Sequence, residues 1–257
     1  MLLDAFSGGL LDDLVTKSFL KEVAFIGDEL IRPPIRGVVV SFHGLGHPLL
    51  RTELIEEEKI WADNGLLTVF PYYGPWSWMN RQARAFVDEF LDAVYVNYGL
   101  SDDIPFITHG GSMGGFSALL YARYAKRKVA RCVAICAVCD MEASFHERPD
   151  VPRTIHCAFQ GYQENMETLY REHSPLLQVE SMPRIPYLLI HTSGDASVSK
   201  TLHSDKMAAA LRKHGHDVTY YEIKGGGHCT PLPEEVQAAK TTFILDTRVR
   251  KSEQCAA

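Results

Sequence analysis

Apolar residues follow two rhythms along this chain. Short apolar runs at Gly37 to Phe42, Leu66 to Phe70, Ile104 to Thr108, Val129 to Val138, Tyr187 to His191 and Val218 to Ile223 predict strands. The first, Gly-Val-Val-Val-Ser-Phe, has no polar alternation, as expected of a strand covered on both faces. Leu50 to Asn64, Arg81 to Tyr98, Phe116 to Tyr124, Thr201 to His214 and about Pro233 to Val249 space their apolar residues as helices, with Gly65, Gly99 and Gly215 as stops. Strands alternating with helices predict an α/β fold with a mainly parallel twisted sheet, right-handed crossovers and helices on both faces.

Two stretches break the rhythm. Leu14 to Ile31 mixes short apolar runs with a turn signal at Gly27-Asp28, and predicts a helix or strand leading into a hairpin before Arg32-Pro33-Pro34 interrupts it. Asp140 to Arg184 has weak periodicity, several charges and prolines at 149, 152, 175 and 183, so it reads as an excursion from the sheet lying over the site, with Met166 to Tyr170 as a candidate lid segment. Residues 1–257 are otherwise expected to form a single domain, since no break in composition divides them.

Composition narrows the partners. With 46% apolar residues the chain can build a sizeable core, and a formal net charge of −6 without a basic patch argues against nucleic acid. The first twenty residues lack a basic region followed by a long apolar one, and no apolar run reaches membrane-span length, so a cytoplasmic location with no membrane partner is expected. The six cysteines form no evenly spaced framework; Cys136-Ala-Val-Cys139 falls at the end of an apolar run and no second pair completes a zinc site, so reduced thiols, no metal and no cofactor are expected. Nothing in the sequence excludes a homo-oligomer.

Chemistry enters at Gly110-Gly-Ser112-Met-Gly114, a Gly-x-Ser-x-Gly elbow between a predicted strand and helix. The turn pushes the Ser112 hydroxyl out above the sheet edge, at a helix N-terminus suited to stabilising an oxyanion. A serine attacks only if a base takes its proton and an acid orients that base. Asp195 follows the predicted strand Tyr187 to His191, and His228 follows Val218 to Ile223 after three glycines, so both come to the rim that carries Ser112. The Met113 and Leu45 N–H groups are the expected oxyanion donors, with His43 as a positioning residue beside them. Tyr73, Trp76 and Trp78, in the aromatic loop Pro71 to Asn80, are candidates either for a substrate pocket wall or for core packing beneath that loop.

With these residues in place, the chain resembles the α/β-hydrolase superfamily from about Arg36 onward. It is most similar to the prolyl-oligopeptidase-like and dienelactone-hydrolase-like serine hydrolases, through Gly110-Gly-Ser-Met-Gly-Gly115, His173-Ser-Pro-Leu176, Pro186-Tyr-Leu-Leu-Ile-His191 with Gly194-Asp195 and Val198, and Gly226-Gly-His228. The resemblance implies a Ser112-His228-Asp195 triad, an acyl-enzyme and no cofactor. Thr192 replaces a glycine usual in the peptidases, and 257 residues leave no room for their propeller. The histidine-glycine loop at His43 is similar to that of small bacterial esterases. Hydrolysis of small carboxylic esters is therefore the first expectation and a peptidase acting on short peptides the alternative; a non-catalytic binding protein on the same fold is a third reading, although such proteins commonly lose a triad member and none is missing here.

Overall fold

The computed structural model describes residues 15–32, 34–46 and 51–248. Their strands are β1 (Ala24–Ile26), β2 (Gly37–Phe42), β3 (Leu66–Pro71), β4 (Phe106–Gly111), β5 (Val129–Ile135), β6 (Pro186–Thr192) and β7 (Asp217–Ile223). They form one sheet in the order β1-β3-β2-β4-β5-β6-β7, parallel throughout except where β1 pairs with β3. The helices are α1 (Lys17–Val23), α2 (Glu56–Asp63), α3 (Arg81–Asn97), α4 (Met113–Tyr124), α5 (Met141–Glu147), α6 (Val151–Ala158), α7 (Met166–His173), α8 (Ser204–Lys213) and α9 (Glu234–Leu245).

The sheet carries a core on each face because successive side chains of a strand point in opposite directions. Val38 and Val40 of β2 join the larger core while Val39 joins the smaller, and the same division separates Leu67 from Leu66, Phe106 from Ile107 and Leu189 from Leu188. The larger core takes in α1, α3, α4 and α8; the smaller takes in α2 and α9 through Trp61, Val236 and Ile244. Lys240 of α9 donates to Glu57 of α2 at 2.8 Å, an ion pair shielded by both helices. The mainly parallel sheet with helices on both faces, expected from the alternation of strands and helices, is the fold observed.

Several boundaries differ from the sequence reading for local reasons. No hairpin follows α1: β1 pairs instead with β3, Ala24 opposite Pro71, and Gly27 N–H continues the contact to the Thr68 carbonyl. The helix expected from Leu50 begins at Glu56, because Glu58 folds back to accept from the Ile55 N–H at 3.2 Å and pairs with Arg51; Leu50 itself lies outside the described residues. The last helix closes at Leu245, and Val249, its expected end, lies outside the described residues as well.

The run expected to continue to Val138 leaves the sheet at Ile135, since Cys136 turns to φ 45° while its N–H still reaches the Ile190 carbonyl. The excursion after Asp140 contains α5, α6, α7 and a 3-10 turn at Pro175–Ser181. Its periodicity is weak because each helix has two turns or so, and α5 and α7 begin on side-chain caps, Asp140 and Asn165, rather than on a long apolar stripe. Val151, Ile155 and Leu169 nevertheless belong to the larger core of the sheet. Among the described residues, no helix is long and apolar enough to cross a membrane.

Candidate active site

β4 ends on Gly111 and α4 begins on Met113, leaving Ser112 alone on the turn at φ 59° and ψ −126°. A left-handed φ at a non-glycine residue costs of order 1–3 kcal/mol and persists only when its surroundings enforce it. Here the Ser112 N–H donates to the Ile135 carbonyl at 2.9 Å, and the Ser112 carbonyl accepts from Phe116 at 3.1 Å. The flanking glycines are packing requirements. A Cβ at Gly110 would lie 2.3 Å from the Gly114 carbonyl oxygen, and one at Gly114 would lie 2.2 Å from that of Phe42.

The carboxyl end of β2 lies beside the elbow, at the point where the crossovers diverge to opposite sides of the sheet, which is where open α/β sheets form their crevices. The loop His43 to Gly46 passes so close that a Cβ at Gly44 would lie 3.9 Å from that of Ser112. Met113 is the first residue of α4, so its N–H has no intrahelical carbonyl to serve, and Leu45 follows Gly44 at the mouth of the same crevice. His43 is buried, donates from Nδ1 to the Gly44 carbonyl at 2.8 Å and stacks on Tyr73 with 4.4 Å between ring centres. That is a residue holding a loop in shape.

Asp195 and His228 meet in the loops after β6 and β7. The ring Nδ1–H of His228 donates to Asp195 Oδ2 at 2.7 Å, and the other carboxylate oxygen accepts from the Ser197 and Val198 N–H groups at 2.8 and 2.9 Å. Burial pushes the Asp195 carboxyl up, but the His228 ring and these two N–H groups outweigh it and hold it below the ordinary carboxylate range. Asp195 therefore shapes its own loop and also meets His228. With Nδ1 donating, Nε2 of His228 carries the lone pair. Among the described residues no hydrogen bond joins that nitrogen to the Ser112 hydroxyl; Nε2 faces the Cys229 sulfur at 3.9 Å. The same sulfur would stand 3.2 Å from a Cβ on Gly111, so the loop of residues 228 and 229 lies directly over the elbow.

Three features escaped the sequence reading. His191, the last apolar-run residue before Thr192, is fully buried and brings Nε2 to 3.0 Å from the Val198 carbonyl and 3.2 Å from Asp195 Oδ2. Both partners are acceptors, so Nε2 carries the proton and Nδ1 accepts from the Ser204 hydroxyl at 2.6 Å. Its spacing of four residues from Asp195 was the signal. The second feature is the approach of Cys136 to Cys229, whose sulfurs lie within 4.8 Å of each other although the two residues are far apart in the chain. The third is a division within the aromatic loop, whose residues the sequence left open between pocket wall and core: Trp78 is 1% exposed, donates to Thr154 of α6 at 3.0 Å and packs edge-on against Phe116, so it belongs to the core. Trp76, 36% exposed, and Tyr73 do line a pocket of about 450 Å³ that also touches Tyr72, Phe86 and Cys157. Neither Ser112 nor His228 lines it.

The prolyl oligopeptidase family matches residues 86–246, more than half of the chain, spanning the elbow and both partner loops. The chain belongs to the prolyl oligopeptidase family. It is one of the two groups that the motifs resembled. No curated protein matches it. Among solved structures, the Pyrococcus horikoshii acylaminoacyl peptidase is similar at a TM-score of 0.71 and 14% identity, with 90% of this chain covering 40% of that one. A puromycin-hydrolyzing peptidase of Mycobacterium tuberculosis gives 0.70 and 18%, over 87% of this chain and 37% of that one. Esterase B from Lactobacillus rhamnosis gives 0.60 and 14%, over 83% of this chain and 76% of that one. At these identities the likeness is one of fold, and the chain spans less than half the length of the two peptidases.

Proposed function

We propose that this member of the prolyl oligopeptidase family is a serine hydrolase of short peptides or acylated peptides, with Ser112 as nucleophile, His228 as base and Asp195 as the acid that orients it. The observation that carries this reading is the strained Ser112 on its strand-to-helix turn, overlaid by a loop whose histidine is paired with a buried carboxylate. Ser112 Oγ attacks the carbonyl carbon and its proton passes to His228 Nε2, while the carboxylate of Asp195 stabilises the resulting imidazolium across Nδ1–H. The Met113 and Leu45 N–H groups are the proposed donors to the tetrahedral oxyanion. Collapse expels the amine or alcohol with the proton from His228, and water, deprotonated by the same ring, releases the acyl group from Ser112.

Peptide bonds take precedence over esters because the family match covers the site loops themselves and the peptidase likenesses extend over about nine-tenths of this chain. The ester reading, expected first from the sequence, retains one supporting observation: the likeness to esterase B runs over most of both chains. Trp76 and Tyr73, in the pocket beside the His43 loop, are proposed to meet the acyl side of the substrate. The test is a comparison of kcat/KM for acyl-aminoacyl nitroanilides, aminoacyl nitroanilides and p-nitrophenyl esters. Turnover of the amides, abolished by Ser112→Ala, is expected; turnover of esters alone would replace the peptidase reading with the esterase one.

A further inference from the structure

Two cysteines that the hydrolytic mechanism does not use stand beside its base. Cys136 follows β5 and Cys229 follows His228, and both hold left-handed backbones, φ 45° and 49°. Their sulfurs and a ring nitrogen of His228 all lie within 4.8 Å of one another. Nδ1 of His228 is engaged by Asp195, and Nε2 is 3.9 Å from the Cys229 sulfur. A tetrahedral zinc ion with ordinary bond lengths separates sulfur from nitrogen by about 3.6 Å and sulfur from sulfur by about 3.8 Å. The three donors are therefore within a small side-chain adjustment of a metal site.

We propose that Cys136, Cys229 and Nε2 of His228 form a three-ligand site for a soft divalent cation of the zinc class, and that filling it withdraws the imidazole from Ser112. The inhibitory half rests on His228 being the base; the binding half does not. Two thiolates and an imidazole select soft or borderline ions over magnesium or calcium. The second shell is also in place. A metal-bound imidazole usually donates its other N–H to a carboxylate, which is the 2.7 Å contact from His228 to Asp195. Cys229 is exposed at the rim and Cys136 is buried beneath it, so an ion can arrive from solvent and leave its fourth position to water. Each thiol loses one proton to solvent on ligation and the neutral ring loses none, so binding one ion releases two protons and tightens as pH rises.

A second converging group, Cys136 with His191 and Asp195, is also within 4.8 Å, but the Nε2–H of His191 donates to the Val198 carbonyl and its Nδ1 takes the Ser204 hydroxyl, so neither ring nitrogen offers a lone pair there.

The experiment titrates Co²⁺ into the metal-free full chain in a Cys157→Ser/Cys255→Ser background, which removes the other exposed thiol and the one near the C-terminus. One bound ion is expected, with a near-ultraviolet thiolate-to-cobalt band, tetrahedral visible bands and displacement by Zn²⁺. Cys136→Ser and Cys229→Ser are each expected to weaken binding by about tenfold or more and to diminish the thiolate band. Because Cys136 is buried, Cys229→Ser decides the matter if the other variant does not fold. Zn²⁺ is expected to suppress hydrolysis over the concentrations that displace Co²⁺, and a chelator to restore it. Binding without a thiolate band, or affinity unchanged in Cys229→Ser, overturns the site, and hydrolysis indifferent to a filled site overturns the inhibition. If the metal-free chain hydrolyses nothing, the hydrolase reading fails while the absorption spectrum still decides the site.

Discussion

At the scale of single residues, the proposed chemistry turns on Asp195, whose two carboxylate oxygens have different tasks. One is saturated by backbone N–H groups that set the loop, leaving the other to face the Nδ1–H of His228. Because these contacts keep the carboxyl ionised below its ordinary range, it remains an acceptor through the whole neutral region, and the imidazole stays in the tautomer whose Nε2 can take a proton. Asp195→Asn preserves shape but offers an amide where an acceptor is required. It is expected to lower kcat by of order 10³- to 10⁴-fold with little change in KM, measured on whichever substrate the wild type turns over. A loss smaller than tenfold would remove Asp195 from the mechanism. Nε2 of His191, whose N–H donates to the Val198 carbonyl, lies 3.2 Å from the same oxygen.

At the scale of elements, the elbow is a steric construction. The turn between β4 and α4 fits only because two glycines let backbone pass against backbone, and Gly114 abuts the last residue of the neighbouring β2. Gly114→Ala would drive a methyl group into the Phe42 carbonyl, a rigid neighbour, and overpacking of this kind costs about 1–3 kcal/mol. Calorimetry should show Tm falling by about 2–4 °C for each kcal/mol, together with slower labelling of Ser112. A variant that melts and reacts like the wild type would show that the elbow tolerates the intrusion.

The same scale explains what could be read in advance. Strands covered on both faces announce themselves as unbroken apolar runs, so β2, β3 and β6 were legible to within a residue or two, and the glycine-flanked serine marked the turn after β4. The helices of the excursion were not legible, since α5, α6 and α7 are too short to establish a period and are defined by caps and by packing against distant residues, as when Thr154 takes the indole N–H of Trp78. Trp78 and Trp76 are two residues apart in one loop, yet one is core and the other pocket wall; only tertiary contacts distinguish them. For the candidate site, Ser112, Asp195 and His228 stood out by order along the chain, whereas the approach of Cys229 to Cys136 depends on a loop after β7 folding across the end of β5.

At the scale of the molecule, residues from four separate strand ends are gathered at one rim. β2 delivers the His43 loop, β4 the serine, β6 the acid and β7 the histidine, and the parallel arrangement makes all four ends point the same way. The two cores lie beneath that rim, while the excursion packs into the larger core and contributes Cys157 and Ala158 to the pocket beside it. The most direct measurement of whether this rim is a catalytic one is peptide-mapped mass spectrometry of the full chain after exposure to a fluorophosphonate. A single adduct on Ser112 is expected, absent in Ser112→Ala and formed about 10²-fold or more slowly in His228→Ala. A folded chain that takes up no probe, or carries it on another residue, would contradict Ser112 as the nucleophile.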